Sequence, residues 1–237
     1  VSLAAALALY FAFRLVEQYG ALSWSTVSGE GLLKVLVWVV PSIVVVMAAY
    51  RISLPKALEE LGLWSNPLVG YGFGLVSALP TLLPATTAVA ALSGTRLLAD
   101  VVLGPFAEEV LFRGLFFRQL HRRAGRRPLR AMAVSALVFG FAHLTNVVGP
   151  LDAPQAASQA AALVGTATLG GLLFAWLAYR WDSIWPAVGL HSFLNLSWDA
   201  TTTTPTNLVT TMRLAAVVVA LVLTWRFTRR ARPGQLS

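Results

Sequence analysis

The chain reads as a series of apolar windows separated by short polar punctuation. Runs close to the ~20 residues needed to cross a bilayer occur at about 1–19, 31–50, 67–93, 97–118, 129–149, 157–180, 183–199 and 207–227. They predict an all-α fold, a polytopic transmembrane helical bundle of about eight spans. The window at 183–199 is short, and Pro80 and Pro84 near the far end of 67–93 predict a kink or a re-entrant turn. Between windows, Leu54, Leu58 and Leu61 share one helical face while Lys56, Glu59 and Glu60 lie elsewhere. That pattern fits a short interfacial helix or a plain connecting loop. Gly70 with Gly74 is a small-xxx-small pair that lets helices approach closely; it is read as packing. The threonine run 201–204 before Pro205 reads as a simple turn on the outer side.

Composition sharpens this picture. Of 237 residues, 57% are hydrophobic and 12% charged, too few polar groups to give a globule of this size a wettable surface. The whole of 1–237 is expected to be one integral membrane domain in contact with the lipid bilayer. A net charge of +8 raises nucleic acid as a partner, but the basic residues fall between apolar runs rather than along an aromatic-interleaved surface, so none is expected. Their distribution sets an orientation instead. Arg118, Arg122, Arg123, Arg126, Arg127 and Arg130 crowd between the fourth and fifth windows, which marks that loop as cytoplasmic. Arg51, Lys56, Arg180, Arg226, Arg229, Arg230 and Arg232 then fall on the same side. The loops near 20–30, 150–156 and 200–206 carry no Lys or Arg, Arg96 is the exception, and both termini are predicted inside. The absence of cysteine excludes disulfides, thiolate metal sites, a thiol nucleophile and S-lipidation of this chain. The sequence opens at Val1 without an initiator Met or a charged segment before a cleavage site, which predicts a start inside a longer precursor.

Ionisable groups at membrane depth are costly, so function is the default explanation for them. Three short patterns stand out inside apolar windows: Glu108-Glu109 followed by Arg113, Phe139 followed by His143, and His191 followed by Asn195. They use two of the three histidines; His121, in the basic loop, is expected to be solvated. Glu109 and Arg113 are four apart with the acid on the N-terminal side, the favoured order for an intrahelical ion pair. Glu108 is offset by about 100° around the axis, so it is expected to face a different neighbour and to stay available as a general base. Alternatively both glutamates belong to one structural ion-pair network. His143 and Phe139 share a helical face, as do His191 and Asn195. The latter pair could donate to an oxyanion or simply hydrogen-bond a neighbouring helix. Counted along their windows, Glu108, His143 and His191 fall in one layer of the membrane.

The ordered set Glu108-Glu109-Val-Leu-Phe-Arg113, Phe139-Gly-Phe-Ala-His143 and His191-Ser-Phe-Leu-Asn195 resembles the three motifs of the CPBP family. That family comprises the type II CAAX prenyl endopeptidases and bacterial proteins once grouped as abortive-infection or bacteriocin-processing proteases. The resemblance implies an intramembrane endopeptidase in a prokaryotic plasma membrane, acting on a peptide or a lipidated protein. It implies that Glu108 and His143 activate a water, that His191 and Asn195 stabilise the oxyanion, and that Glu109, Arg113 and Phe139 support the site, with no cofactor and no metal. Two other readings stay open. One is a zinc peptidase using Glu108, His143 and His191 as ligands, although no His-Glu-x-x-His helix is present. The other is a non-catalytic scaffold or immunity protein that keeps the polar cluster for stability.

Overall fold

A computed structural model describes residues 8, 34–82, 94–125, 127–146, 156–200 and 206–228. Every regular element among them is helical. A π-helical segment Val35–Val39 leads into α1 (Val40–Tyr50), and Arg51 then turns the chain in the left-handed conformation at φ 54°. The chain re-enters as α2 (Leu54–Glu60), bent by 105° from α1. There follow α3 (Pro67–Leu82), a long helical run from residue 94 to residue 123, α6 (Pro128–Ala142), α7 (Ala156–Trp181), α8 (Trp185–Ala200) and α9 (Thr206–Thr228). The run is irregular. Its α-helical parts include α4 (Gly104–Glu109) and α5 (Arg118–Arg123), separated by a π-helical stretch Val110–Phe117 and preceded by another, Leu97–Leu103. Pro105 explains part of this, because proline inside a continuous helix removes one ladder donor and crowds the preceding turn. Wide π turns are a common local response, often at functional sites.

Two helices, α7 and α9, contain stretches long and apolar enough to cross a membrane, of 25 and 22 residues, and α1 with α2 gives a third if the bent pair is one span. In the most apolar window of each, 22% of the residues are buried inside the protein. A helix that is apolar all round yet mostly uncovered suits lipid rather than water as its solvent, and these helices mark an integral membrane protein. The helices α3 and α6, at 16 and 15 residues, are apolar but shorter. The first expected window lies outside the described residues apart from residue 8, and so does the chain beyond Leu82 in the third. Pro80 lies inside α3, whereas Pro84 falls outside the described residues.

The packing follows the small residues. Gly70 and Gly74 of α3 lie against the backbone at Trp185 and Gly189 of α8, where a side chain on either glycine would overlap that backbone. The small-xxx-small pair is therefore a helix crossing, as expected. Gly140 of α6 sits equally close to Thr168 and Val164 of α7, and a Cβ on Gly171 of α7 would approach Ala136 Cα to 3.0 Å and Phe139 Cδ1 to 3.2 Å. These two contacts bring α6 and α7 together beside the π-helical stretch, to which Ser135 of α6 also bonds through the Phe112 carbonyl at 3.1 Å.

One expectation about the polar end of the molecule is corrected. The chain does not leave its helix at Arg118; α5 continues to Arg123, and this carries His121 inward. His121 is buried, stacked on Phe117 one turn earlier at 5.9 Å and edge-on to Tyr179 of α7 at 5.6 Å, so it is a packed ring and not a solvated one. Leu54 to Trp64 does form a helix at Leu54–Glu60, but Ala57 and Leu61 are its buried positions while Leu54 is exposed. This segment is strapped to α5 by the Arg122–Glu60 ion pair, and the end of α1 by Arg122 over the Tyr50 ring at 4.9 Å and by the Tyr50 hydroxyl donating to Gln119 at 2.6 Å. Nearby, buried Arg118 pairs with Asp182 at 3.0 Å. Partial burial pushes the Asp182 carboxyl above its ordinary value, and the guanidinium beside it pulls the other way.

Candidate active site

Three separate parts of the chain build the site. The glutamates sit where α4 passes into the π-helical stretch: Glu109 is fully buried, while the Glu108 side chain is 22% exposed. His191 is buried in the second turn of α8. The start of that helix is well anchored. The Ser183 hydroxyl accepts from the Trp185 amide at 3.1 Å, a local cap. Gly62 carbonyl accepts from the Ile184 amide at 3.2 Å, and the Trp185 indole donates to Leu63 carbonyl at 3.2 Å. Trp185 also stacks on Phe106 at 5.5 Å, two residues before Glu108, which ties α8 to α4.

The cluster itself is a chain of charges. Arg113 Nε lies 3.1 Å from Glu109 Oε2, so the expected intrahelical pair is present, although its angle is poor for a hydrogen bond. The other oxygen of Glu109 reaches across to α8, where Oε1 meets His191 Nδ1 at 2.9 Å. A carboxylate only accepts, so Nδ1 carries the proton of that bond. The opposite edge of the imidazole faces the second glutamate, with Nε2 3.9 Å from Glu108 Oε2. Glu108 was expected to face a different neighbour from Glu109, yet the two straddle one ring. The reason is geometric: side chains offset by about 100° on one helix can reach opposite edges of an imidazole that stands across the helix.

Arg113 is held by carbon as much as by oxygen. Its guanidinium lies 4.1 Å from the Phe139 ring centroid, 5.2 Å from Phe174 and 5.9 Å from Phe112, and its Nη2 approaches Gly171 carbonyl at 3.4 Å. Arginine tolerates such a setting because its delocalised charge stacks on aromatic faces and is weakly hydrated. Phe139 then links the remaining histidine. Its ring is edge-on to His143 at 4.6 Å and to His191 at 6.2 Å. His143, half-buried at the end of α6, bonds through Nδ1 to the Phe139 carbonyl at 2.9 Å. A carbonyl accepts only, which puts the proton on Nδ1 and leaves a lone pair on Nε2. Asn195 lies one turn beyond His191 on α8 and is half-buried.

The sequence-predicted residues are thus gathered to different degrees: Glu108, Glu109, Arg113 and His191 form one contiguous polar cluster, and His143 joins it through the Phe139 ring. Phe174 of α7 was not anticipated. It stacks on His191 with centroids 4.9 Å apart and planes 18° from parallel, and no motif or spacing marks it among the many apolar residues of its helix. Among the described residues no group of three or more His, Asp or Glu side chains is arranged to hold a metal ion.

The cluster thus sets one buried and one partly exposed carboxylate, a buried guanidinium and a buried imidazole together in an otherwise apolar helical protein. The family model described as "Type II CAAX prenyl endopeptidase Rce1-like" matches residues 90–197, a stretch that contains all three motifs. Residues 90–197 thus carry an Rce1-like domain, of a family of peptide-bond hydrolases. Neither the curated proteins nor the solved structures yield a match.

Proposed function

We propose that the protein is a metal-independent intramembrane endopeptidase that cleaves a membrane-associated or lipidated peptide, with Glu108 and His143 activating water and His191 and Asn195 stabilising the oxyanion. The observation that carries this reading is the imidazole of His191 held between two glutamates. Glu109 fixes Nδ1, so only the imidazolium form offers an N–H at Nε2 toward a developing oxyanion. Two carboxylates and one guanidinium surround that ring, so an imidazolium there completes a set of formal charges that sums to zero.

Glu108, the more exposed of the glutamates, is the one placed to meet water. His143 complements it, since the tautomer imposed by Phe139 carbonyl leaves Nε2 free of its own proton and able to orient or accept one from water. Attack of that water on a peptide carbonyl moves one proton to the Glu108 carboxylate and negative charge to the carbonyl oxygen. Asn195 would donate to that oxygen beside His191. Glu108 can then return its proton to the leaving amine.

In keeping with the basic loops, we read the chain as spanning the membrane about eight times with both termini cytoplasmic, in a prokaryotic plasma membrane, and the site as open to water from the cytoplasmic side. The test is turnover of a membrane-anchored reporter peptide, with and without a lipidated end, by purified protein. Cleavage lost in Glu108→Gln and His191→Ala but retained in surface variants supports the assignment. Full activity in either variant refutes it, and a physiological role that survives both variants would favour the scaffold reading.

A further inference from the structure

The hydrogen bond from His191 to Glu109 fixes one ring atom, while Glu108 at 3.9 Å from Nε2 lies beyond hydrogen-bond reach and does not fix a second. Nε2 reaches any partner only if the plane of the ring is fixed as well. Phe174 supplies a flat surface for this: it is 4% exposed, lies nearly parallel to the imidazole at 4.9 Å, and comes from α7, an element that carries none of the polar site residues. The same phenyl ring meets the Arg113 guanidinium at 5.2 Å. One turn earlier on α7, Gly171 carbonyl approaches Arg113 Nη2 at 3.4 Å, and the missing side chain at Gly171 is what allows α7 to lie against Ala136 and Phe139 of α6. A closed circuit results: Arg113 to Glu109, Glu109 to His191, His191 to Phe174, and Phe174 back to Arg113.

We propose that Phe174 is a positioning residue for the reaction: its face sets the plane of the His191 imidazole and so aims Nε2 between Glu108 and the substrate carbonyl. This inference rests on the reading of His191 as a catalytic group. A residue that only filled volume would be replaceable by leucine; one that sets a plane is not, whereas tyrosine keeps the plane.

The experiment compares Phe174→Leu, Phe174→Met, Phe174→Tyr and His191→Ala in purified full-length protein. It measures kcat and KM on a membrane-anchored reporter peptide, thermal unfolding, and the imidazole nitrogen NMR signals of histidine-labelled protein. His191 is assigned among the three histidines by its loss in His191→Ala. Expected is a fall in kcat of roughly 10- to 100-fold in the leucine and methionine variants, the scale of a small misplacement of a reacting group. KM should stay within about twofold because ground-state binding is untouched, the tyrosine variant should recover most of the rate, and the Nε2 signal should shift only where the ring face is gone. Full kcat in a folded leucine or methionine variant overturns the proposal. So does an equal loss in the tyrosine variant with the His191 signals unmoved, because that outcome describes packing alone. If His191→Ala itself is fully active, the functional reading fails first, and the two failures are told apart.

Discussion

Glu109→Gln tests the charge logic of the site at its most constrained point. Glu109 is fully buried and touches two partners, Arg113 at 3.1 Å and His191 at 2.9 Å. The substitution keeps shape but removes the charge, leaving the equally buried Arg113 with three aromatic rings, one carbonyl and the more distant charge of Glu108. Breaking a buried pair from one side typically costs about 3–5 kcal/mol. Here the aromatic cage retains part of the cation's stabilisation, about 0.5–2 kcal/mol for a desolvated contact, which places the expected loss near 2–4 kcal/mol. For a chain of this size that corresponds to a fall in Tm of roughly 4–16 °C. The assay is thermal unfolding in detergent alongside reporter cleavage, for Glu109→Gln, Arg113→Met and the double variant. Removing both charges should recover much of the stability that either single change loses, a coupling that the double-mutant cycle reads directly, while activity stays low because the amide still accepts from His191 Nδ1 but no longer sets a carboxylate charge beside the imidazole. An unchanged Tm in Glu109→Gln, or additive losses in the double variant, would refute the reasoning that this pair is a neutralising unit.

Further outcomes follow from the same geometry. Glu108→Gln should abolish turnover with Tm changed little, because the amide cannot take a proton and its position is the more exposed of the two; cleavage at the wild-type rate would exclude Glu108 as the base. Asn195→Ala should lower kcat by about 10²–10³-fold with KM little changed if the amide belongs to an oxyanion hole, which kinetics on one reporter can check. Elemental analysis of the active protein should find no stoichiometric zinc, and about one zinc per chain with activity lost on chelation and restored by zinc would promote the zinc peptidase reading. Gly74→Leu should disrupt the seat of α3 on α8 at Gly189 and lower expression or detergent stability. Orientation is testable with single cysteines in this cysteine-free chain: Arg123→Cys should be shielded from an impermeant thiol reagent in intact cells, and Asn207→Cys should react.

What the sequence disclosed and what it hid divide along physical lines. Residue types that are expensive in an apolar run announce themselves, so Glu108, Glu109, Arg113, His143 and His191 were legible singly, and four of them do meet. The Glu109–Arg113 pair was legible too, because an i, i+4 contact depends only on local helix geometry. Gly70 with Gly74 likewise marked the crossing with α8. Contacts between distant segments carry no such local signature. The bond from Glu109 to His191 spans 82 positions, and the placement of both glutamates about one imidazole depends on how α4 and α8 cross. Phe174 was hidden for a different reason: its chemistry is that of every other apolar side chain on α7, and its role comes from the orientation of its ring against His191. His121 misled in the opposite direction, since a run of arginines around it reads as solvent while one further helical turn carries the ring under Tyr179. On the proposed reading, the polar residues locate the chemistry, and Phe174, which no motif marks, aims it. The consequence for substitution is specific. Changes at the motif glutamates and histidines should act on proton transfer, whereas changes at Phe139 and Phe174 should act on geometry, lowering the rate while leaving the proton inventory of the site intact.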